Sequence, residues 1–264
     1  MKSPLILILL LTLLCTTFLS CATAPTQATP TQVTQQTPND AEAHFNNGIA
    51  YDYKYDYDKA IAEYSEAIRL NPNYAQAYYE MGIAYSYKYD YGKTIFYLSE
   101  AIRVDPDYAV AYRDRGATYN IIEDRDKAIA DYNEAIRVNP NYAEAYYNRG
   151  NAYRIKGDYD RAIADYTKAI RLEPNDADAY VNRGVTYYSE GDCDKAISDY
   201  TEAIRLNPNL VNAYLGRGFA YYNKGDYNKA IADYESALRI DPNDPYAKEM
   251  LAEIRTSKTP LPIP

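Results

Sequence analysis

A chain of 264 residues, 47% hydrophobic and 25% charged, has apolar material for a folded body of about 200 residues, which excludes disorder as its default state. Its 37 acidic residues outnumber 28 basic ones, and a net charge of −9 excludes nucleic acid as a partner, since a phosphate-binding surface needs clustered Lys and Arg. Three cysteines are too few for a disulfide framework, and with 33 Tyr, 4 Phe and no Trp, aromatic bulk comes from a ring whose hydroxyl wants a polar partner.

The first element is an export signal over residues 1–20: Lys2, an almost unbroken Leu and Ile run over 5–14, then small residues up to Cys21. Phe18-Leu19-Ser20-Cys21 resembles a bacterial lipobox, with Phe18 where Leu is usual, and the resemblance implies lipidation of Cys21. Ala22 in place of Asp after that Cys implies the periplasmic side of the outer membrane. Cleavage after Ala24, giving a soluble secreted or periplasmic protein, is the alternative. An uncleaved anchor is a third, though the apolar run is short of the about 20 residues that span a bilayer. Residues 22–39 carry no charge and consist mainly of Thr, Pro, Gln and Ala, so 21–40 is expected to be a tether, lipidated at its start.

From Ala41 the chain repeats every 34 residues, six times without insertion: 41–74, 75–108, 109–142, 143–176, 177–210 and 211–244. Gly48, Gly82, Gly116, Gly150, Gly184 and Gly218 mark the period, each followed three residues later by Tyr, and each unit reaches a Pro between 72 and 242. Each unit is predicted to be two helices. Asn73, Asp107, Asn141, Asn175, Asn209 and Asn243, just after the Pro, are expected to cap the first helix. Gly157-Asp158 predicts the inner turn of the fourth unit, with Gly left-handed and Asp capping the second helix. Cys193 stands where most units have Tyr and is expected to be an inert filler. Residues 245–264 are predicted to form a capping helix, with Tyr246, Met250, Leu251 and Ile254 on one face, followed by a tail.

This pattern resembles the tetratricopeptide repeat (TPR) family, which implies an all-α, right-handed superhelical solenoid of six helix-turn-helix units plus the C-terminal cap. Some units depart from the signature: the second has Thr94 and Leu98 for Ala and Tyr, and the first has His44, the chain's one His, at an aromatic core slot. Tyr55, Tyr89 and Glu123 occupy the inner-turn slot that is Gly157, Gly191 and Gly225 later, so the first three turns are expected to be less relaxed.

Comparison among the units predicts a charge pairing. Arg115, Arg149, Arg183 and Arg217 precede the Gly of units three to six, and sixteen residues on stand Asp131, Asp165, Asp199 and Asp233. In unit two both charges vanish together, as Met81 and Tyr97, while unit one has Asn47 and Glu63. Each Arg is therefore expected to bond the Asp of its own second helix, its stem packing on apolar surface and its fork holding the carboxylate.

No nucleophile, base and acid are in register, no Cys/His group has metal-ligand spacing, and the acidic pairs Asp56/Asp58 and Asp158/Asp160 belong to repeated turns. Neither catalytic residues, a metal nor a cofactor is predicted. In the resembling family, first helices line the concave face, which implies a peptide groove including Tyr79, Arg113, Tyr147, Asn148, Asn151, Asn182, Tyr188 and Tyr222. Asn148 and Asn182 match a slot used for a peptide's main chain, since an amide donates and accepts at once. Inner-face acids such as Glu80 and Asp114 favour a neutral or basic segment. The expected function is a non-enzymatic protein-interaction scaffold of the bacterial cell envelope that holds an extended segment of another envelope protein, as assembly factor or adaptor. The alternative is a self-associating structural array with no dedicated peptide ligand.

Overall fold

The computed structural model describes residues 38–257; the export signal, Cys21 and most of the tether lie outside them. Among the described residues the structure is helical throughout, with no strand. The first helices of the six units are α1 (Pro38–Asp52), α3 (Ala75–Tyr87), α5 (Ala109–Ile121), α7 (Ala143–Ile155), α9 (Ala177–Ser189) and α11 (Val211–Asn223). The second helices are α2 (Tyr57–Leu70), α4 (Tyr91–Val104), α6 (Arg125–Val138), α8 (Tyr159–Leu172), α10 (Cys193–Leu206) and α12 (Tyr227–Ile240), and α13 (Pro245–Ser257) follows. Each helix packs on its partner and then on the next unit in sequence, the stacking of a TPR solenoid.

The second helices are amphipathic and carry the core. Tyr64, Tyr132, Tyr166, Tyr200 and Tyr234 are buried in five units, and Leu98 replaces them in the second. Each ring packs closely on the repeat Gly of its own first helix: a Cβ on Gly116 would sit 2.8 Å from the Tyr132 ring and 3.1 Å from the Ala128 carbonyl. The sixth unit would expose its apolar side, and α13 covers it: Ala247, Met250, Leu251 and Ile254 pack on Ala230, Tyr234 and Ala237.

Every second helix is capped as the sequence predicts, by Asp56, Asp90, Asp124, Asp158, Asp192 and Asp226. The first helices correct the sequence-based expectation. The helices α3, α5, α7, α9 and α11 begin two residues after the Asn or Asp that follows Pro, and Tyr74, Tyr108, Tyr142 and Leu210 hold the cap position without a side-chain bond. Of these five helices only α9 is capped by a carboxylate, that of Asp176. The expected cap residues instead donate backwards: the Asn73 amide bonds Asn71 Oδ1 at 3.1 Å, and Asp107, Asn141, Asn209 and Asn243 do the same. Such Asx turns end the second helix and redirect the chain.

At the inner turns Gly157, Gly191 and Gly225 have φ of 78°, 88° and 77°, while Tyr55, Tyr89 and Glu123 are forced to 58°, 60° and 64°. A side chain there costs roughly 1–2 kcal/mol against the following carbonyl, part of which Gly gives back as unfolded-chain entropy. Glu123→Gly is therefore expected to raise stability by about 0.5–1 kcal/mol in urea titration, and a lowered midpoint would contradict this account.

Candidate functional site

Successive first helices touch directly, α1 to α3, α5 to α7, α7 to α9 and α9 to α11, so they line the inner side of the solenoid. The predicted Arg and Asp residues meet on the wall between helices rather than in the open groove. Arg115 Nε and Nη2 donate to Asp131 at 2.8 and 2.7 Å, and Arg149 holds Asp165 at 2.7 Å twice. Arg183 with Asp199 and Arg217 with Asp233 repeat the fork at 2.8–2.9 Å. All four carboxylates are buried. Burial pushes the Asp165 carboxyl up more than its two bonds to Arg149 pull it down. Sequence comparison missed the third bond: Nη1 of each Arg reaches back to the preceding unit, to Ser99 (2.9 Å), Asn133 (2.6 Å), Thr167 (3.0 Å) and Thr201 (3.1 Å).

In unit one the acid of this pair is Glu63, and His44 takes it, Nδ1 to Oε2 at 2.6 Å. His44 is half-buried and polar-bonded, which corrects its expected place as core filler. Cys193 is half-buried. The acidic turn pairs are structural: Asp56 binds Lys59, Asp58 binds Lys88, and Asp158 binds Arg161. No group of three metal-ligating side chains and no helix long and apolar enough to cross a membrane occurs among the described residues.

The inner face is built on bonds between residues 35 apart, one unit and one position. Tyr79 Oη donates to Asp114 at 2.7 Å, Asn182 Nδ2 to Tyr147 Oη at 2.7 Å, and Asn223 Nδ2 to Tyr188 Oη at 2.9 Å. Arg113 is held by the Tyr142 hydroxyl at 2.9 Å, Asp114 at 2.7 Å and Glu144 at 3.3 Å. Asn151 Oδ1 accepts from Tyr166, and Tyr222 donates to Glu253, both at 2.7 Å. Of the eight predicted groove residues, seven thus direct polar atoms at the groove wall itself. Asn148 makes no side-chain hydrogen bond to any described residue, and it faces a cavity of about 350 Å³ with Arg113, Tyr147, Glu144 and Asp178.

Toward the N-terminal end the inner face turns acidic. Asp52, Glu80 and Asp114 succeed one another on α1, α3 and α5. Burial, reinforced by the charges of Asp52 and Asp114, pushes Glu80 up to about 7. Burial also raises Asp114, against the pull of Arg113 and Tyr79, and raises Asp52 against the hydroxyl of Tyr64. Beside Asp52 and Glu80 lies a second cavity of about 360 Å³, walled by Tyr53, Tyr55, Tyr57 and Tyr87. Sequence reasoning missed it; its signal was the extra Tyr residues in the inner turns of units one and two.

Comparison with known proteins agrees with this geometry. A family model described as TPR repeat matches residues 55–87, 123–154, 150–191 and 186–225, and tetratricopeptide repeat models match 75–108 and 211–244. No curated protein matches the chain. Among solved structures, MamA is 28% identical over 72% of this chain and 98% of its own, with a TM-score of 0.59. PilF of Pseudomonas aeruginosa is 16% identical over 81% of this chain and 98% of its own (TM-score 0.70). YrrB, described as a TPR protein with an unusual peptide-binding site, is 22% identical over 72% of this chain and 97% of its own (TM-score 0.63). At such identities the last two show the fold alone. With the family model covering more than half its length, the chain belongs to the tetratricopeptide repeat family of protein-interaction scaffolds.

Proposed function

We propose that the chain is a non-enzymatic scaffold that holds an extended segment of another exported protein along its inner groove, as assembly factor or adaptor in a bacterial envelope. The observation that carries this is Asn148, an unbonded amide on the inner face beside Tyr147 and Arg113, whose own polar groups are fixed by their neighbours. A fixed wall with one free donor and acceptor suits a peptide main chain, because little side-chain freedom is lost on binding. The acids of the inner face favour a neutral or basic segment. Lipidation of Cys21 would tether the scaffold to the outer membrane, and the mass of the mature protein distinguishes this from cleavage after Ala24.

Selection of extended peptides from a random library on the full chain tests the groove. Asn148→Ala is expected to weaken the selected peptides about five- to tenfold, as loss of one or two main-chain hydrogen bonds predicts. Undiminished affinity would place the peptides elsewhere and overturn the groove.

A further inference from the structure

We propose that the cavity between the first two units receives an alkylammonium group, and that its occupant is a lysine side chain of the bound segment. This rests on the groove as a peptide channel and adds a charge-specific anchor at its N-terminal end.

The walls are aromatic. Tyr57 of unit one stacks on Tyr87 of unit two, with centroids 5.0 Å apart and planes within 7°, and Tyr55 meets Tyr57 edge-on at 6.5 Å. Tyr53 and Tyr55 stand at the rim, 83% and 80% exposed. A ring face attracts a cation through its quadrupole, and several rings around one cavity add up.

The two carboxyls inside have no cationic partner among the described residues. Glu80 forms neither a hydrogen bond nor an ion pair with any described residue, and Asp52 Oδ1 is buried without a hydrogen-bond partner, its other oxygen taken by Tyr64. The neighbouring cations are engaged elsewhere: Lys59 with Asp56, Lys88 with Asp58, and Lys54 over the Tyr51 ring. Two half-buried carboxylates facing each other are costly until a cation sits between them.

The arrangement occurs once along the array. One unit on, the Asp52 slot is Ser86 and the Glu80 slot is Asp114, which Arg113 already neutralises. Tyr55 is held at a left-handed φ that the last three units give to Gly, so a ring is kept at the rim at a conformational cost. Lysine suits the cavity as a compact charge on an apolar stem, which Ile49 and Ile83 would line.

The test reads the cavity directly, whether or not a peptide occupies the groove. The 15N-labelled full chain is titrated with N-acetyl-lysine methylamide, its norleucine and glutamine counterparts, and tetramethylammonium. Lysine amide is expected to shift amides near Asp52, Tyr57, Glu80 and Tyr87 at millimolar concentration, while norleucine and glutamine do not. Glu80→Gln and Tyr57→Phe should separate charge from hydroxyl chemistry: the first weakens lysine amide at least fivefold, the second changes it less than twofold. Equal shifts with norleucine, or a Glu80→Gln chain that binds undiminished, would overturn the cation assignment. Tetramethylammonium binding tighter than lysine amide would overturn lysine as the occupant in favour of a free quaternary amine. Groove failure is read separately, by peptide affinities that ignore Asn148→Ala while the lysine amide shifts persist.

Discussion

Replacing Arg149 by Met destabilises the solenoid by about 3–5 kcal/mol, because the Asp165 carboxylate is then left buried without its cation. Adding Asp165→Tyr returns most of that loss. The chain already contains the double replacement in unit two, where Met81 is buried and Tyr97 stacks on Tyr85 at 5.3 Å with planes 3° apart. Tyr153 stands in unit four where Tyr85 stands in unit two, so a Tyr at 165 finds a ring to stack on. Burial raises the Asp165 carboxyl against the pull of Arg149, while the bonds to Asp165 raise the Arg149 guanidinium against its own burial, so the two charges are tolerated together and costly apart. Urea unfolding of the two single variants and the double should give a coupling of about 2–4 kcal/mol. Additive losses would show that the pair does not act as a unit.

Glu80 makes stability fall as pH rises. Its folded value of about 7 lies above its ordinary 4.5, so between those values the folded chain binds more protons than the unfolded one. The stabilisation is whole below about 4.5 and lost as pH passes through 7. The full shift corresponds to roughly 3 kcal/mol, and solvent reaching a half-buried carboxyl trims this to about 1–2 kcal/mol. Unfolding midpoints measured from pH 5 to 8 are therefore expected to decline, and Glu80→Gln should flatten the decline and be the more stable chain at pH 8. An unchanged slope in that variant would assign the titration to Asp52 or Asp114, the two carboxyls whose charges press on Glu80.

The helical pairs were legible because Gly, Tyr, Ala and Pro keep a 34-residue register, and because Asp before each second helix has one conformational use. The Arg and Asp partners were legible for a different reason: repeats in one chain vary together, and Met81 with Tyr97 lost both charges at once. The first-helix caps were misread because Asn after Pro suits a cap and an Asx turn equally, and the choice depends on where Asn71 or its equivalents aim a carbonyl. The groove wall was named but its bonding was not. Bonds such as Tyr79 to Asp114 join residues 35 apart in neighbouring units, so they depend on the rotation from unit to unit, which the period alone does not specify. The tyrosine cavity was hidden for the same reason, its two halves coming from different units.

The backward reach of the four arginines has a kinetic consequence. Units two to six are clasped pairwise, each by a guanidinium that grips its own acid and its predecessor, whereas at the first junction Met81 meets Ser65 only through sulfur at 4.0 Å. Amide protons of the first hairpin should therefore exchange with solvent by breathing of that hairpin alone, ahead of the clasped remainder. The tyrosine cavity straddles that unclasped junction, where Tyr57 stacks on Tyr87 and Lys88 pairs with Asp58, so a segment that fills it would bind the two units to each other in place of the missing guanidinium.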